Sequence, residues 1–244
     1  MASKDFHGYG CAMFSTDRLL QIPLPDALAF ALLCLAYLSL GHVIEHPPRR
    51  FPSVSLLMNS YRREWMTAFV TREPRIFDAS IIDSLRQGTA FFASACMIAI
   101  GGGLALVGNS APILGLAQQL TLAPLSPEIE QARAVVVVLF LANAFLKFVW
   151  SHRLFGYCQI VMAAAPNSHA DPLATHRAKQ AAEINIHAAK GFNRGLRSVY
   201  FALGTLGWLL GPEVLMLTTL ATVVVLLRRE FASHSRRVLL DAQS

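Results

Sequence analysis

Apolar residues fall in five runs separated by polar, charge-rich stretches, at 27–44, 89–107, 134–150, 198–210 and 214–227. The first three are close to the roughly 20 residues that a helix needs to span a bilayer. Pro23 and Pro25 precede the first run, and Pro47 and Pro48 end it, because proline cannot donate the hydrogen bond a helix interior requires. Gly211-Pro212 separates the last two runs as a helix stop followed by a helix start. Glu213 then lies at the new N-terminus, where the helix dipole favours a carboxylate. The pattern predicts an all-α polytopic membrane protein, one domain over 1–244, with about five transmembrane helices and a tight final hairpin. The last two runs are short, about 20 Å of helix each, so a re-entrant hairpin is the alternative. It would bury Glu213 at depth, which is costly, whereas snorkelling of Arg197 and Arg228 lengthens both helices.

The stretches between the runs carry patterns of their own. In 54–70, Val54, Leu57, Met58, Tyr61, Trp65 and Phe69 recur at helical spacing opposite Arg62, Arg63 and Thr67. This predicts an amphipathic helix lying at the membrane surface, with Trp65 as its interface anchor. The alanine-rich stretch within 151–197 predicts a helix continuing into the fourth run. In 108–132, three prolines flank a weak apolar segment expected to rest on the outer surface. The first 25 residues mix acids and bases, a poor start for a signal peptide, and no cleavage is expected.

Charge gives these elements a direction. Of 244 residues 54% are hydrophobic and only 15% charged, against about a quarter charged in soluble domains. The net charge is +6, from 21 bases and 15 acids. All bases but Lys4, Arg18 and Arg133 fall in 45–86, in 147–197 or in the tail after 227. Basic loops stay in the cytoplasm, so the expected topology is N-out and C-in, with cytoplasmic loops 45–86 and 151–197. The expected location is a bacterial inner (plasma) membrane. No nucleic-acid-binding motif accompanies the high pI, so no nucleic-acid partner is expected. Cys11, Cys34, Cys96 and Cys158 are scattered and imply no disulfide framework.

Three groupings carry candidate chemistry. His42, Glu45 and His46 match the H-x-x-E-H pattern of inverted zinc hydrolases. Pro47 pushes His46 away from helical geometry and no third ligand is close in sequence, so neither a metal nor catalysis is expected here. Asn143, Lys147 and Ser151 form a polar stripe on the third span, either lining a path or bonding to other helices. Arg62, Arg63, Arg153, Arg194 and Arg197 are candidates for contact with anionic lipids or an anionic solute. In the second span Ala95, Ala99 and Gly103 recur at every fourth position, a helix-packing pattern. Asp78 and Asp83 are expected to pair with Arg75, Arg86 or another loop.

Three further stretches, "RREWMTAFVTREPRIFDASIIDSLRQGTAFFAS", "FLKFVWSHRLFGYCQIVMAAAP" and "AAEINIHAAKGFNRGLRSVYFALGTLGWLLGP", together resemble a family of bacterial and plant membrane proteins. That family is catalogued only as domain of unknown function five-nine-nine. The resemblance covers 62–231, leaving 42–46 outside. It implies a helical integral membrane protein and supplies no activity, cofactor or catalytic residue. The expected function is therefore a non-enzymatic membrane component without a cofactor. It would bind anionic lipids, a second copy of itself or another membrane protein. The alternative is a small oligomeric channel or transporter for an anionic or polar solute, built on Asn143, Lys147 and Ser151.

Overall fold

The computed structural model describes residues 23–48, 50–108 and 127–241. The expectations for the N-terminal stretch and for the apolar segment at 114–122 fall outside them. Helix α1, Leu24–Glu45, has proline in its first turn and stops just before His46 and the two prolines, as the sequence implies. Ser53 joins it to α2, Val54–Thr71: its hydroxyl donates to the Ile44 carbonyl at 3.0 Å and caps the new helix at Leu56 N. Helix α3 is Ile76–Gly108 and α4 is Pro127–Ala163. Asp171 caps α5, Pro172–Thr205, accepting from Leu173 N at 2.8 Å. A 3-10 turn, Leu206–Leu210, leads to α6, Pro212–Phe231, and α7, His234–Asp241, follows. Among the described residues there is no strand.

Among the described residues, three helices are long and apolar enough to cross a membrane: α1, α3 and the 129–163 part of α4. Their outward faces carry large exposed apolar side chains, Leu35 and Leu38 on α1, Phe91 and Ile98 on α3, Leu139 and Leu146 on α4. Apolar surface on this scale marks a membrane-facing protein.

Both α3 and α4 run well beyond their apolar runs. The extension of α4 buries Phe155, Cys158 and Met162 in a cluster with Ala174, Ala178, Ala181 and Ala182 of α5 and with Met66 and Phe69 of α2. The amphipathic face of α2, expected to lie on lipid, is thus taken up by the small residues of α5. Trp65 is turned the same way. It is half-buried, and its indole N–H donates to Asp78 at 2.6 Å.

Gly103 and Gly195 are among the glycines that allow close approach of helices. An added Cβ at Gly195 would lie 2.7 Å from the Phe148 ring, and at Gly103 2.7 Å from Val138. Ala95 and Ala99 face outward, so only Gly103 of that small-residue stripe packs within the chain. At the final turn Gly211 has φ 134° and ψ 164°, a region open essentially to glycine alone. Gly211→Ala is expected to cost about 1–3 kcal/mol, measurable as a lower midpoint of thermal unfolding in detergent.

Candidate functional site

Polar side chains gather at three levels along the bundle. At one end Arg133 of α4 is 1% exposed and donates to Asp26 of α1, at 2.6 and 3.2 Å, and to Glu130 at 2.8 Å. Trp208 of the 3-10 turn donates its indole N–H to the same Asp26 oxygen at 2.7 Å. One carboxylate thereby joins the start of α1, the start of α4 and the α5–α6 turn. Sequence reasoning treated Arg133 only as a topological exception. The available signal was its isolation, since it is the one base between 87 and 146.

The middle level holds the predicted stripe. Asn143 Nδ2 lies 2.7 Å from Tyr37 Oη and 3.1 Å from Ser198 Oγ. Lys147 Nζ lies 2.6 and 3.1 Å from the same two oxygens. Ser151 donates to the Ala188 carbonyl at 2.7 Å. The stripe is an interhelical knot joining α4 to α1 and α5, and the partners of Lys147 are hydroxyls instead of an acid. Phe140 and Phe201 pack edge-on against the Tyr37 ring, each at 5.2 Å.

The third level is built on Glu45 at the end of α1. Its carboxylate receives Arg194 Nε at 2.8 Å and Arg197 Nη2 at 2.5 Å, and Lys190 Nζ lies 3.4 Å away. Lys190, Arg194 and Arg197 are spaced i, i+4 and i+7, which puts them on one face of α5. The anchor for that face sits in the H-x-x-E-H pattern: His42 and His46 stack on each other at 4.8 Å, while Glu45 turns to the arginines. Among the described residues, no group of three or more His, Cys, Asp or Glu is placed to hold a metal ion.

Beside Glu45 a cleft of about 510 Å³ opens between α2, α5 and α6. Glu230 of α6 forms one corner, accepting from Ser55 N and Ser55 Oγ of α2, both at 3.1 Å. Asn193 of α5 donates to Ser55 Oγ at 3.3 Å.

The other predicted arginines have separate neighbours. Arg62 donates to Asn185 Oδ1. Arg63 pairs with Glu183 at 2.7 Å on the surface, and its guanidinium holds the Glu183 carboxyl below the usual carboxylate range. Arg153 is exposed, with Tyr157 as its partner at 2.8 Å. The expected acid pairings in the first basic loop are corrected. Asp78 takes Arg72 and Trp65, Asp83 takes Gln87 at 2.7 Å, and Arg75 donates to the Val70, Ala165 and Pro166 carbonyls. Arg86 turns to His152 and Gln159.

Residues 28–235 match the family described as Protein of unknown function, DUF599. The chain belongs to that family. The DUF599 match begins within α1 and so takes in His42, Glu45 and His46, which lay outside the resembling stretches, together with the Lys190, Arg194 and Arg197 that those stretches already held. No curated protein and no solved structure is significantly similar to the chain.

Proposed function

We propose that this DUF599 protein crosses a bacterial inner membrane five times, N-terminus outside and C-terminus inside, and binds anionic lipids through its basic inner face without catalysing a reaction. The spacing of the two charged levels supports the topology. Asp26 and Glu45 lie 19 positions apart on α1, about 28 Å of helix, close to the roughly 30 Å hydrocarbon thickness. The final hairpin covers the same distance: Trp208 at its turn meets Asp26, and Glu230 near its end meets Ser55 beside the inner end of α1. That favours two full crossings over a re-entrant loop.

The observation that carries the lipid reading is the charge imbalance at Glu45. One carboxylate faces three cations, and the Lys190 and Arg194 side chains remain 42% and 44% exposed. Arg153 lies 20 positions beyond Arg133 on α4, about 30 Å of helix, and adds an exposed guanidinium at the same inner level. Cations with spare donors at an inner boundary attract anionic headgroups, by about 1 kcal/mol each.

The test is lipid retention by purified protein given equal phosphatidylglycerol and phosphatidylcholine, read by mass spectrometry. Wild type is expected to retain phosphatidylglycerol several-fold over phosphatidylcholine, and Arg153→Gln/Arg194→Gln to lose most of that preference. Equal retention of the two lipids by wild type would contradict the proposal.

A further inference from the structure

We infer that the cleft beside Glu45 binds the phosphate ester of a primary amine, the chemistry of an aminophospholipid headgroup. The inference rests on the inner-face reading above and shares Lys190 with it, but it turns on Glu230 and Asn193 of the cleft.

The charge of the cleft differs from that of the rim. Its lining includes the bases Arg62, Lys190, Arg197 and Arg229. Against them stand the carboxylates of Glu45, Glu183 and Glu230. A polyanion entering the cleft would meet three acids, and a simple cation would meet four bases. A ligand carrying both signs meets complementary charge at each end, and the mismatched sign rejects the others.

A cation pair and a carboxylate come from different helices of the cleft. Lys190 and Arg197 converge on Glu45 from α5, while Glu230 sits across the cleft on α6. Asn193 and Ser55 bridge the walls: Asn193 donates to Ser55 Oγ at 3.3 Å, and Ser55 Oγ to Glu230 at 3.1 Å. Asn193 of α5 is thus linked to Glu230 of α6 through two hydrogen bonds, which holds the two walls within reach of one small ligand.

Both ends retain unused capacity. A carboxylate offers about four lone-pair sites, and Glu230 uses one on each oxygen for Ser55. The Lys190 ammonium has three donors and makes a single ion-pair contact, the 3.4 Å approach to Glu45.

The lining also selects the kind of amine. Quaternary ammonium groups are held on the faces of aromatic rings, and among the described residues no Phe, Tyr or Trp lines this cleft. A primary ammonium instead donates three hydrogen bonds, for which the Glu230 carboxylate and the Asn193 carbonyl are acceptors. Leu56 and Met58, 44% and 37% exposed, complete the mouth with apolar surface. Such surface suits the glycerol and acyl portion of a lipid.

The experiment presents the full-length purified chain with equal phosphatidylethanolamine, phosphatidylcholine and phosphatidylglycerol and measures the lipid retained. Phosphatidylethanolamine is expected to exceed phosphatidylcholine by about tenfold, the equivalent of one charge-assisted hydrogen bond. Glu230→Gln is expected to bring that ratio close to one. Asn193→Ala, which leaves the Glu230–Ser55 contact in place, is expected to lower it in a chain that still folds. Arg153→Gln, whose side chain contacts Tyr157 and lies outside the cleft lining, should leave the ratio unchanged while lowering phosphatidylglycerol, so the rim and the cleft fail separately.

A second arm adds soluble phosphoethanolamine. Displacement of the retained lipid assigns the cleft to a free amine phosphate of the same chemistry, and no displacement assigns it to the membrane lipid. Equal retention of phosphatidylethanolamine and phosphatidylcholine would overturn the inference. So would a preference that survives both Glu230→Gln and Asn193→Ala.

Discussion

Arg133→Met is expected to lower the unfolding free energy by about 3–5 kcal/mol, the cost of leaving buried carboxylates without their cation. Asp26 and Glu130 are 4% and 1% exposed, and Arg133 is the basic partner of both. Removing it also frees the Asp26 oxygen to which Trp208 is bonded, loosening the α5–α6 turn from α1. The loss is expected in denaturant unfolding in detergent micelles, followed by tryptophan fluorescence. Arg133→Met combined with Asp26→Asn and Glu130→Gln should recover most of it, because replacing a buried ion network with neutral groups often costs little. If the single and triple variants were equally unstable, packing around Arg133 and not its charge would be the cause.

The second large effect lies where α4 and α5 touch. Phe148 is fully buried, stacks on Phe92 at 5.5 Å, and packs against Phe192 at the same separation. Phe148→Ala is expected to cost about 3–5 kcal/mol through the cavity it leaves. Gly195→Leu is expected to cost about 1–3 kcal/mol by overpacking, since even a Cβ there lies 2.7 Å from the ring. The double variant should be more stable than the sum of the two losses predicts, because the leucine fills the space vacated by phenylalanine. Additive losses would place the two residues out of contact.

Punctuation made much of the fold readable. Pro47-Pro48 and Gly211-Pro212 act on their own backbone, so the ends of α1 and the start of α6 follow from local rules. Which surface covers a helix is a different matter. The periodicity of 54–70 says that one face of α2 is apolar, and the same period serves lipid or protein. Only the juxtaposition with Ala178, Ala181 and Ala182 of α5 decides it. The candidate sites divide the same way. Asn143 and Lys147 stood out because polar groups are rare in a span, but their partners, Tyr37 and Ser198, come from two other helices. Glu45 drew notice for its neighbours His42 and His46, while its actual partners lie about 150 positions further along the chain.

The protein we propose spans the membrane five times, with its Glu45 level and cleft facing the cytoplasm. The most direct test is labelling of Glu213→Cys and Ser235→Cys, each in a chain lacking its native cysteines, with a membrane-impermeant thiol reagent on intact cells. Glu213→Cys, at the hairpin turn, is expected to label from outside, and Ser235→Cys only after the membrane is opened. Labelling of Ser235→Cys in intact cells, or of Glu213→Cys only after permeabilisation, would contradict the account.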